Sequence, residues 1–301
     1  MMRIRDFAIQ LPPKGMRILR FPLTRLLLAI IFLIAFLGVG VFISSFIRGA
    51  LLNGGHRLLG DLFQMIILSL MAYAGYLLYC GLVEGRAPGE LSADRLLVQT
   101  GSGLLMGFGF ISLIILLIAI GNGYRIDGWN NPYLILPALI MSIQAGIVEE
   151  IFTRGVLFRI VEEWTGTWLS VLVSALVFGF MHIWNPNATV FSSLSIALTA
   201  GVILALLYVI TRKLWVPIGL HIGWNLTLGG IYGAPVSGTK TTGLLQATLE
   251  GPEWLTGGAF GPEASILTLA VFLVFGVFLV RKIIRDGSWM KPLWRRRNDY
   301  H

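Results

Sequence analysis

Long apolar runs separated by short polar connections make up most of the chain. Eight of these runs approach the length of about 20 residues that an α-helix needs to cross a bilayer, and the fifth and seventh are short. The first is too long for the core of a signal peptide, so we expect it to be retained. The pattern predicts an all-α, polytopic transmembrane helical bundle of about eight spans, at residues 26–47, 62–83, 96–120, 133–158, 168–182, 190–210, 215–231 and 264–284.

Composition supports a membrane protein. The chain is 56% hydrophobic and 13% charged, and its mean hydropathy is +0.80. The charged share is about half that of a typical soluble domain. The lone cysteine, Cys80, excludes an internal disulfide and a cysteine-based zinc site. It lies in an apolar run, so we expect a packed thiol rather than a nucleophile.

Basic residues gather at both ends of the chain, which carries a formal net charge of +8. Basic termini suit the anionic cytoplasmic leaflet, and an even number of spans puts both on one side. We expect a multi-pass protein of the cell membrane with both termini cytoplasmic, comprising a basic segment 1–25, a transmembrane domain 26–284 with its motif core at 137–225, and a basic tail 285–301. No basic motif interleaved with aromatic residues indicates nucleic-acid binding. The terminal basic residues are Arg3, Arg5, Lys14, Arg17, Arg20 and Arg25, then Arg281, Lys282, Arg285, Lys291, Arg295, Arg296 and Arg297.

Two features of the connections and spans bear on how the helices pack. The longest connection, residues 233–262, is rich in Gly, Thr and Pro, and we expect it to form a surface loop over the outer face. The third and seventh runs each carry two glycines four residues apart, which lets neighbouring helices approach closely. These are Gly103 and Gly107, and Gly219 and Gly223.

Three charged residues interrupt the fourth apolar run: Glu149, Glu150 and Arg154. A charge at the centre of a membrane costs roughly 2.5–3.5 kcal/mol, so such groups normally face a cavity lined by protein. On a helix, Arg154 lies four residues after Glu150 and can pair with it, and it is placed to bridge to Glu149 as well. One acid is then neutralised, and the other is left to act as a general base.

Polar residues recur in the fifth and seventh runs, at His182 and at His221 with Asn225, which share one helical face. A purely structural role is one interpretation, because histidine and asparagine also form hydrogen bonds between membrane helices, and His182 lies near the end of its run. The catalytic interpretation is hydrolysis, in which a carboxylate and an imidazole activate water while a second imidazole and an amide bind the oxyanion.

Other hydrolytic chemistries are less consistent with the sequence. It contains no HExxH zinc helix and no GxSxG nucleophile elbow. We therefore expect no cofactor, although two carboxylates and two histidines leave a divalent metal open as an alternative.

Three blocks in this order carry a family resemblance: Glu149-Glu150-x-x-x-Arg154, Phe178-x-x-x-His182 and His221-x-x-x-Asn225. They resemble the CPBP family of CAAX prenyl endopeptidase-like (Rce1-type) and bacteriocin-processing intramembrane proteases, also known as the Abi family. The likeness covers residues 137–225, with weaker support from 84–91. Thr153 departs from the pattern, since many relatives carry Phe or Tyr before the arginine.

The resemblance implies a glutamate-dependent intramembrane endopeptidase with an eight-helix core. Its partners would be the lipid bilayer and a membrane-associated peptide or protein, of which a prenylated CAAX protein is one candidate. By carry-over, water is activated by Glu149 with His182, the oxyanion is held by His221 and Asn225, and the acid pair is stabilised by Glu150 and Arg154.

Two other functional classes remain open from the sequence. One is a non-proteolytic membrane protein that binds a partner or gives immunity to a bacteriocin, and the other is a transporter or proton relay. The absence of an internal repeat disfavours the transporter.

The predicted spans place Glu149 and His182 at different depths in the membrane. At 1.5 Å per residue, Glu149 lies about 15 Å from the inner end of its run, whereas His182 lies about 21 Å from that side. We expect tilt or a displaced fifth helix to bring the two together, in a cavity that is reached from the cytoplasmic side.

Overall fold

The computed structural model describes residue 9 and residues 12–296, so Arg3, Arg5 and Arg297 lie outside the described residues. Within the described part, the fold is a bundle of helices with one two-stranded sheet. In chain order the elements are α1 (Pro13–Leu19), α2 (Pro22–Asn53), α3 (Arg57–Glu84), α4 (Leu96–Ile120), β1 (Tyr124–Trp129), α5 (Pro132–Thr165), α6 (Thr167–Trp184), α7 (Val190–Thr211), α8 (Trp215–Asn225, continued as a π-helix over Leu226–Ile231), β2 (Leu245–Leu249), α9 (Glu253–Thr256), α10 (Ile266–Asp286) and α11 (Leu293–Arg296).

The all-α membrane bundle that the sequence predicts is confirmed. Among the described residues, seven helices are long and apolar enough to cross a membrane: α2 to α7 and α10. The remaining predicted span, the seventh, corresponds to α8, whose α-helical and π-helical parts comprise 11 and 6 residues. Most of its residues are buried inside the bundle. Cys80 is buried too, as its apolar setting predicted.

Helix α5 extends beyond the predicted end at residue 158 and reaches Thr165. Its last two turns carry charged residues, which broke the apolar pattern but are paired in the structure. Arg159 donates to Glu84 Oε1 at 2.8 Å and to Glu163 Oε1 at 2.9 Å. Glu162 accepts a hydrogen bond from Thr167 at 2.6 Å. Because these charges are neutralised by partners, they do not end the helix.

The glycines of the third and seventh runs face one another where α4 crosses α8. A Cβ atom added at Gly107 would lie 2.5 Å from the Trp224 backbone nitrogen, and one at Gly223 would lie 2.5 Å from the Leu104 carbonyl oxygen. No side chain fits at such distances, so the predicted close approach is confirmed. The crossing fixes α8, which carries His221 and Asn225, against α4.

The strands β1 and β2 pair antiparallel, with an irregularity in register between Ile126 and Gly128. These strands were not predicted from the sequence. Their pairing places the connection after α4 and the connection after α8 on the same face of the bundle, called here the sheet face. The connection 233–262 is more than a surface loop, because Leu255 and Phe260 are buried.

A cluster of ion pairs lies on the opposite face. Arg25 donates from Nε to Glu84 at 3.0 Å, and Arg86 binds both carboxylate oxygens of Glu90 at 2.9 Å. The connection that holds Glu90 is polar in sequence, yet Glu90 is buried. Burial alone would raise the pKa of Glu90, but the hydrogen bonds and charge of Arg86 lower it below the ordinary value.

Candidate active site

Glu150 and Arg154 form a fully buried ion pair at the centre of α5. Arg154 Nη1 lies 2.8 Å from Glu150 Oε1, and both side chains are completely inaccessible to solvent. Arg154 also donates to the Gly201 carbonyl oxygen of α7 at 2.8 Å, and its guanidinium carbon lies 4.6 Å from the centre of the Phe178 ring of α6. The pair that the spacing predicted is therefore confirmed, and it joins three helices.

Local winding explains how the arginine reaches a neighbouring backbone. Directly after Glu150, α5 becomes a π-helix over Ile151–Phe158, and α7 is π-helical over Ala197–Gly201. π-Helical winding within a helix leaves backbone groups outside the regular bonding pattern and is common at functional sites. Here the Gly201 carbonyl accepts from Arg154.

Thr153, which departs from the family pattern, forms hydrogen bonds next to the Glu150–Arg154 ion pair. Its hydroxyl donates to the Glu149 carbonyl oxygen at 2.5 Å and accepts from Arg154 Nη1 at 2.9 Å. The side chain is fully buried. The substitution thus supplies an acceptor for a buried guanidinium, which costs free energy when its donors lack partners.

One partner of Glu150 was predicted from the sequence, but Glu150 has two in the structure. His221 Nδ1 lies 3.0 Å from Glu150 Oε1, the oxygen that also accepts from Arg154. A carboxylate oxygen can only accept here, so Nδ1 carries the proton and donates it. The Arg154 hydrogen bonds run to Glu150, Thr153 and Gly201, so the expected bridge to Glu149 is not among them.

Glu149 differs from its neighbour in both exposure and partner. Its side chain is 25% exposed, and its Oε2 atom lies 3.9 Å from His182 Nε2. That oxygen is buried and receives no hydrogen bond from any described residue. His182 Nδ1 lies 2.8 Å from the Phe178 carbonyl oxygen and must donate to it. In the neutral imidazole this leaves the lone pair on Nε2, facing Glu149.

Asn225 completes the predicted set. It lies at the C-terminal end of the α-helical part of α8, one turn after His221. With His182 and His221 it lines a narrow cavity between α6, α7 and α8. The structure therefore brings the predicted residues of three separate helices to one place.

The predicted difference in depth disappears because α5 is longer than expected. From Thr165 back to Glu149 the helix rises about 24 Å, and from Thr167 to His182 it rises about 22 Å. Glu149 and His182 therefore lie at similar heights without any unusual tilt.

One acidic residue of the cavity was missed by the sequence analysis. Glu263 lies in the short turn Pro262–Ala264 before α10, and its side chain lines the same cavity as His182 and Asn225. Burial raises the pKa of Glu263 above its ordinary value, while hydrogen bonds from Ser237 and the charge of His182 act in the opposite direction. No short-range pattern links position 263 to the three blocks, so spacing could not have found it.

The cavity lies toward the sheet face. Ser237 and Glu263, which line it, both belong to the connection between α8 and α10 that also carries β2. If the termini are cytoplasmic, this face is the outer one. The expected approach from the cytoplasmic side does not fit that orientation.

The divalent metal that the sequence left open would have to bind the carboxylates and histidines of this site. Across residues 12–296 and residue 9, no three His, Cys, Asp or Glu side chains come together as ligands. His221 Nδ1 and His182 Nδ1 are both engaged in hydrogen bonds to protein oxygens.

Comparisons with known proteins agree with the motif blocks. The family model described as Type II CAAX prenyl endopeptidase Rce1-like matches residues 131–227. A protein of Bacillus subtilis (strain 168) named "Putative membrane peptidase YdiL" is 30% identical over 90 residues, which are 30% of this chain and 34% of that protein. The chain thus spans about a third of the length of this curated relative. No solved structure matches the chain. The resemblance indicated by the three blocks is confirmed, since the Rce1-like family model matches the segment that contains them, residues 131–227.

Proposed function

We propose that this protein is an intramembrane endopeptidase that hydrolyses a peptide bond in a membrane-associated substrate with water activated between Glu149 and His182. The observation that supports it most is the geometry of this pair. Nε2 of His182 faces a buried carboxylate oxygen at 3.9 Å while Nδ1 is held by a backbone carbonyl. A water oxygen placed between the two atoms can lie within about 2.8 Å of each.

In the proposed reaction, the water oxygen attacks the scissile carbonyl carbon as its proton passes to Glu149 or His182. The carbonyl π electrons move to the oxygen, giving a tetrahedral oxyanion. Collapse of this intermediate re-forms the carbonyl and breaks the C–N bond, and the leaving nitrogen takes the proton from the group that received it. One water and one peptide give one carboxylic acid and one amine, with no covalent enzyme intermediate.

The buried pair has a supporting role in this proposal. Glu150 holds Nδ1–H of His221, so His221 can donate from Nε2 to the oxyanion only as an imidazolium. With that proton in place, the charges of Glu149 and Glu150 balance those of Arg154 and His221. Asn225 supplies a neutral amide donor from the next turn of α8.

The substrate class follows from the family resemblance and from the setting of the site. The site is built on helices α5, α6 and α8 of a multi-pass membrane protein, so a substrate tethered to the bilayer reaches it most readily. A prenylated CAAX protein and a bacteriocin leader both meet that description, and we propose the broader class.

Peptide cleavage by the purified full-length protein tests this function. A quenched prenylated CAAX peptide, its unprenylated form and a peptide library serve as substrates. His182→Gln is compared with His56→Gln, which changes an exposed histidine outside the site. We expect cleavage by the wild type and by His56→Gln, and loss of cleavage in His182→Gln.

Added chelator separates the proposed mechanism from metal-dependent hydrolysis. The proposal expects unchanged rates. Loss on chelation that zinc restores would reassign these side chains as metal ligands, and failure of the folded wild type to cleave any peptide would favour a partner-binding or immunity role. Ion-coupled flux in liposomes would favour transport.

A further inference from the structure

Glu263 is a buried acid that the proposed mechanism has not used. It is 4% exposed and lies outside residues 131–227, the part that matches the family model. Its backbone is fixed on two sides, because Ser195 of α7 donates to its carbonyl oxygen at 2.7 Å and Thr268 of α10 donates to the Pro262 carbonyl oxygen at 2.6 Å. The side chain is therefore held in one direction, into the cavity.

Both carboxylate oxygens of Glu263 accept hydrogen bonds from neutral groups. Trp224 Nε1 donates at 3.0 Å and the Ser237 hydroxyl donates at 3.3 Å to Oε1, while the Ser237 backbone N–H donates to Oε2. Among the described residues, no Lys, Arg or His nitrogen lies within 4.0 Å of this carboxylate. A buried carboxylate without a cationic partner is costly, and the three donors offset part of that cost.

The partners of Glu263 connect it to the candidate site. Trp224 immediately precedes Asn225, and its ring stacks on Phe272 with centroids 4.8 Å apart. Ser237 and Glu263 line the cavity together with His182 and Asn225. Because Glu263 and His182 line the same narrow cavity, His182 faces the side of the site that holds Glu263 as well as Glu149.

We propose that Glu263 is a third acidic residue of the active site, a positioning residue that fixes Asn225 through Trp224 and stabilises the imidazolium of His182 when that residue takes a proton from water. The proposal rests on the function proposed above and adds a residue from outside the family-matched region. The other charged groups near His182 and His221 are Glu149, Glu150 and Arg154.

Two variants separate the charge of Glu263 from its hydrogen bonds. Glu263→Gln keeps the size of the side chain and removes its negative charge. Trp224→Phe removes the indole N–H while keeping a ring to stack on Phe272. Glu253→Gln is the matched control, because it removes a carboxylate that is exposed on the same connection.

Kinetics with the quenched peptide form the first measurement. We expect Glu263→Gln to lower kcat by roughly 10- to 100-fold with KM changed by less than about twofold, since hydrogen bonds to a charged group contribute differences of this size. Trp224→Phe should give a smaller loss in the same direction, and Glu253→Gln none. Thermal unfolding in the same detergent checks that each variant is folded.

Nuclear magnetic resonance of the histidine side chains is the second measurement and needs no substrate. The chain contains 4 histidines, and His182→Gln identifies the His182 signals in 15N-histidine-labelled protein. At fixed pH, the 15N shifts should show a smaller protonated fraction of His182 in Glu263→Gln than in the wild type or Glu253→Gln.

The two measurements distinguish failure of this proposal from failure of the proposed function. Unchanged kcat in folded Glu263→Gln, or His182 signals identical to those of the wild type, would overturn the role of Glu263. Should Glu263→Gln not fold, an unchanged kcat in Trp224→Phe would overturn it. A wild type that cleaves nothing would contradict the peptidase function, and the resonance measurement would still decide whether Glu263 acts on His182.

Discussion

Two neighbouring carboxylates, those of Glu149 and Glu150, have different surroundings. Glu150 is fully buried and accepts from Arg154 and His221, whereas Glu149 is 25% exposed and faces His182. On a helix, adjacent residues point about 100° apart, so the two acids meet different neighbours. The sequence showed that one acid would pair with Arg154. It could not show that the same acid also binds His221, because that contact depends on how α8 docks.

This difference predicts unequal effects of two isosteric substitutions on the free energy of unfolding. Glu150→Gln leaves Arg154 buried without its ionic partner, and we expect a loss of about 3–5 kcal/mol in the free energy of unfolding. Glu149→Gln should change that free energy by less than about 1 kcal/mol, because Oε2 of Glu149 has no donor among the described residues. Denaturant unfolding in detergent measures both. Equal stability of the two variants would contradict the assignment.

At the scale of elements, the α4–α8 crossing decides where His221 and Asn225 lie. Gly223→Ala would put a methyl group 2.5 Å from the Leu104 carbonyl oxygen. We expect the helices to separate, with a cost of about 1–3 kcal/mol and a marked loss of peptide cleavage. Gly109→Ala is the control, because a Cβ there meets nothing within 4 Å. A fully active and stable Gly223→Ala variant would show that the crossing does not position α8.

The connection after α3 predicts a pH dependence of stability. The pKa of Glu90 is lowered below 4.5 in the folded protein, chiefly by Arg86 acting against burial. A lowered carboxyl pKa stabilises the fold above the unfolded value, and this contribution is lost as the pH falls through the folded value. The stability difference between wild type and Glu90→Gln should therefore be largest near neutral pH and shrink below about pH 4.5. A difference that does not change with pH would contradict this assignment.

The C-terminal end of α5 could not be predicted from the apolar pattern of the sequence. Its predicted end at residue 158 reflected the charges of Arg159, Glu162 and Glu163, yet the helix continues to Thr165. Those charges are paired with Arg25 of α2, with Glu84 of α3 and with Arg212 directly after α7, which are all distant in sequence. A hydropathy pattern reflects the free-energy cost of a charge in an apolar segment, but it contains no information about the partner that offsets this cost. The glycine pairs were predicted correctly because their effect, close helix approach, needs no knowledge of a partner.

Across the whole molecule, the position of the cavity relates to the orientation in the membrane. We propose cytoplasmic termini, which puts the sheet face outside and the ion-pair cluster inside. In a Cys80→Ala background, Lys240→Cys on the sheet face should react with an impermeant thiol reagent in intact cells, and Lys14→Cys should react only after permeabilisation. Both substituted positions are exposed. The reverse labelling pattern would invert the orientation and place the cavity toward the cytoplasm.

At this scale the sequence predicted the helical bundle of about eight spans, and the six residues of its motif blocks lie near one another in the structure. It missed Glu263, because a residue outside the motif blocks enters the cavity only through the folding of the long connection after α8. That connection is held by β2 pairing with β1 and by buried side chains such as Phe260. Such long-range packing has no local sequence signal.

Cleavage of a peptide by Glu149→Gln tests the central claim most directly. The purified variant is compared with wild type and with Glu253→Gln, which removes an exposed carboxylate outside the cavity. We predict that the wild type and Glu253→Gln cleave the peptide at similar rates, with or without chelator, and that folded Glu149→Gln cleaves it at least about 100-fold more slowly. Cleavage by Glu149→Gln at the wild-type rate would contradict the account.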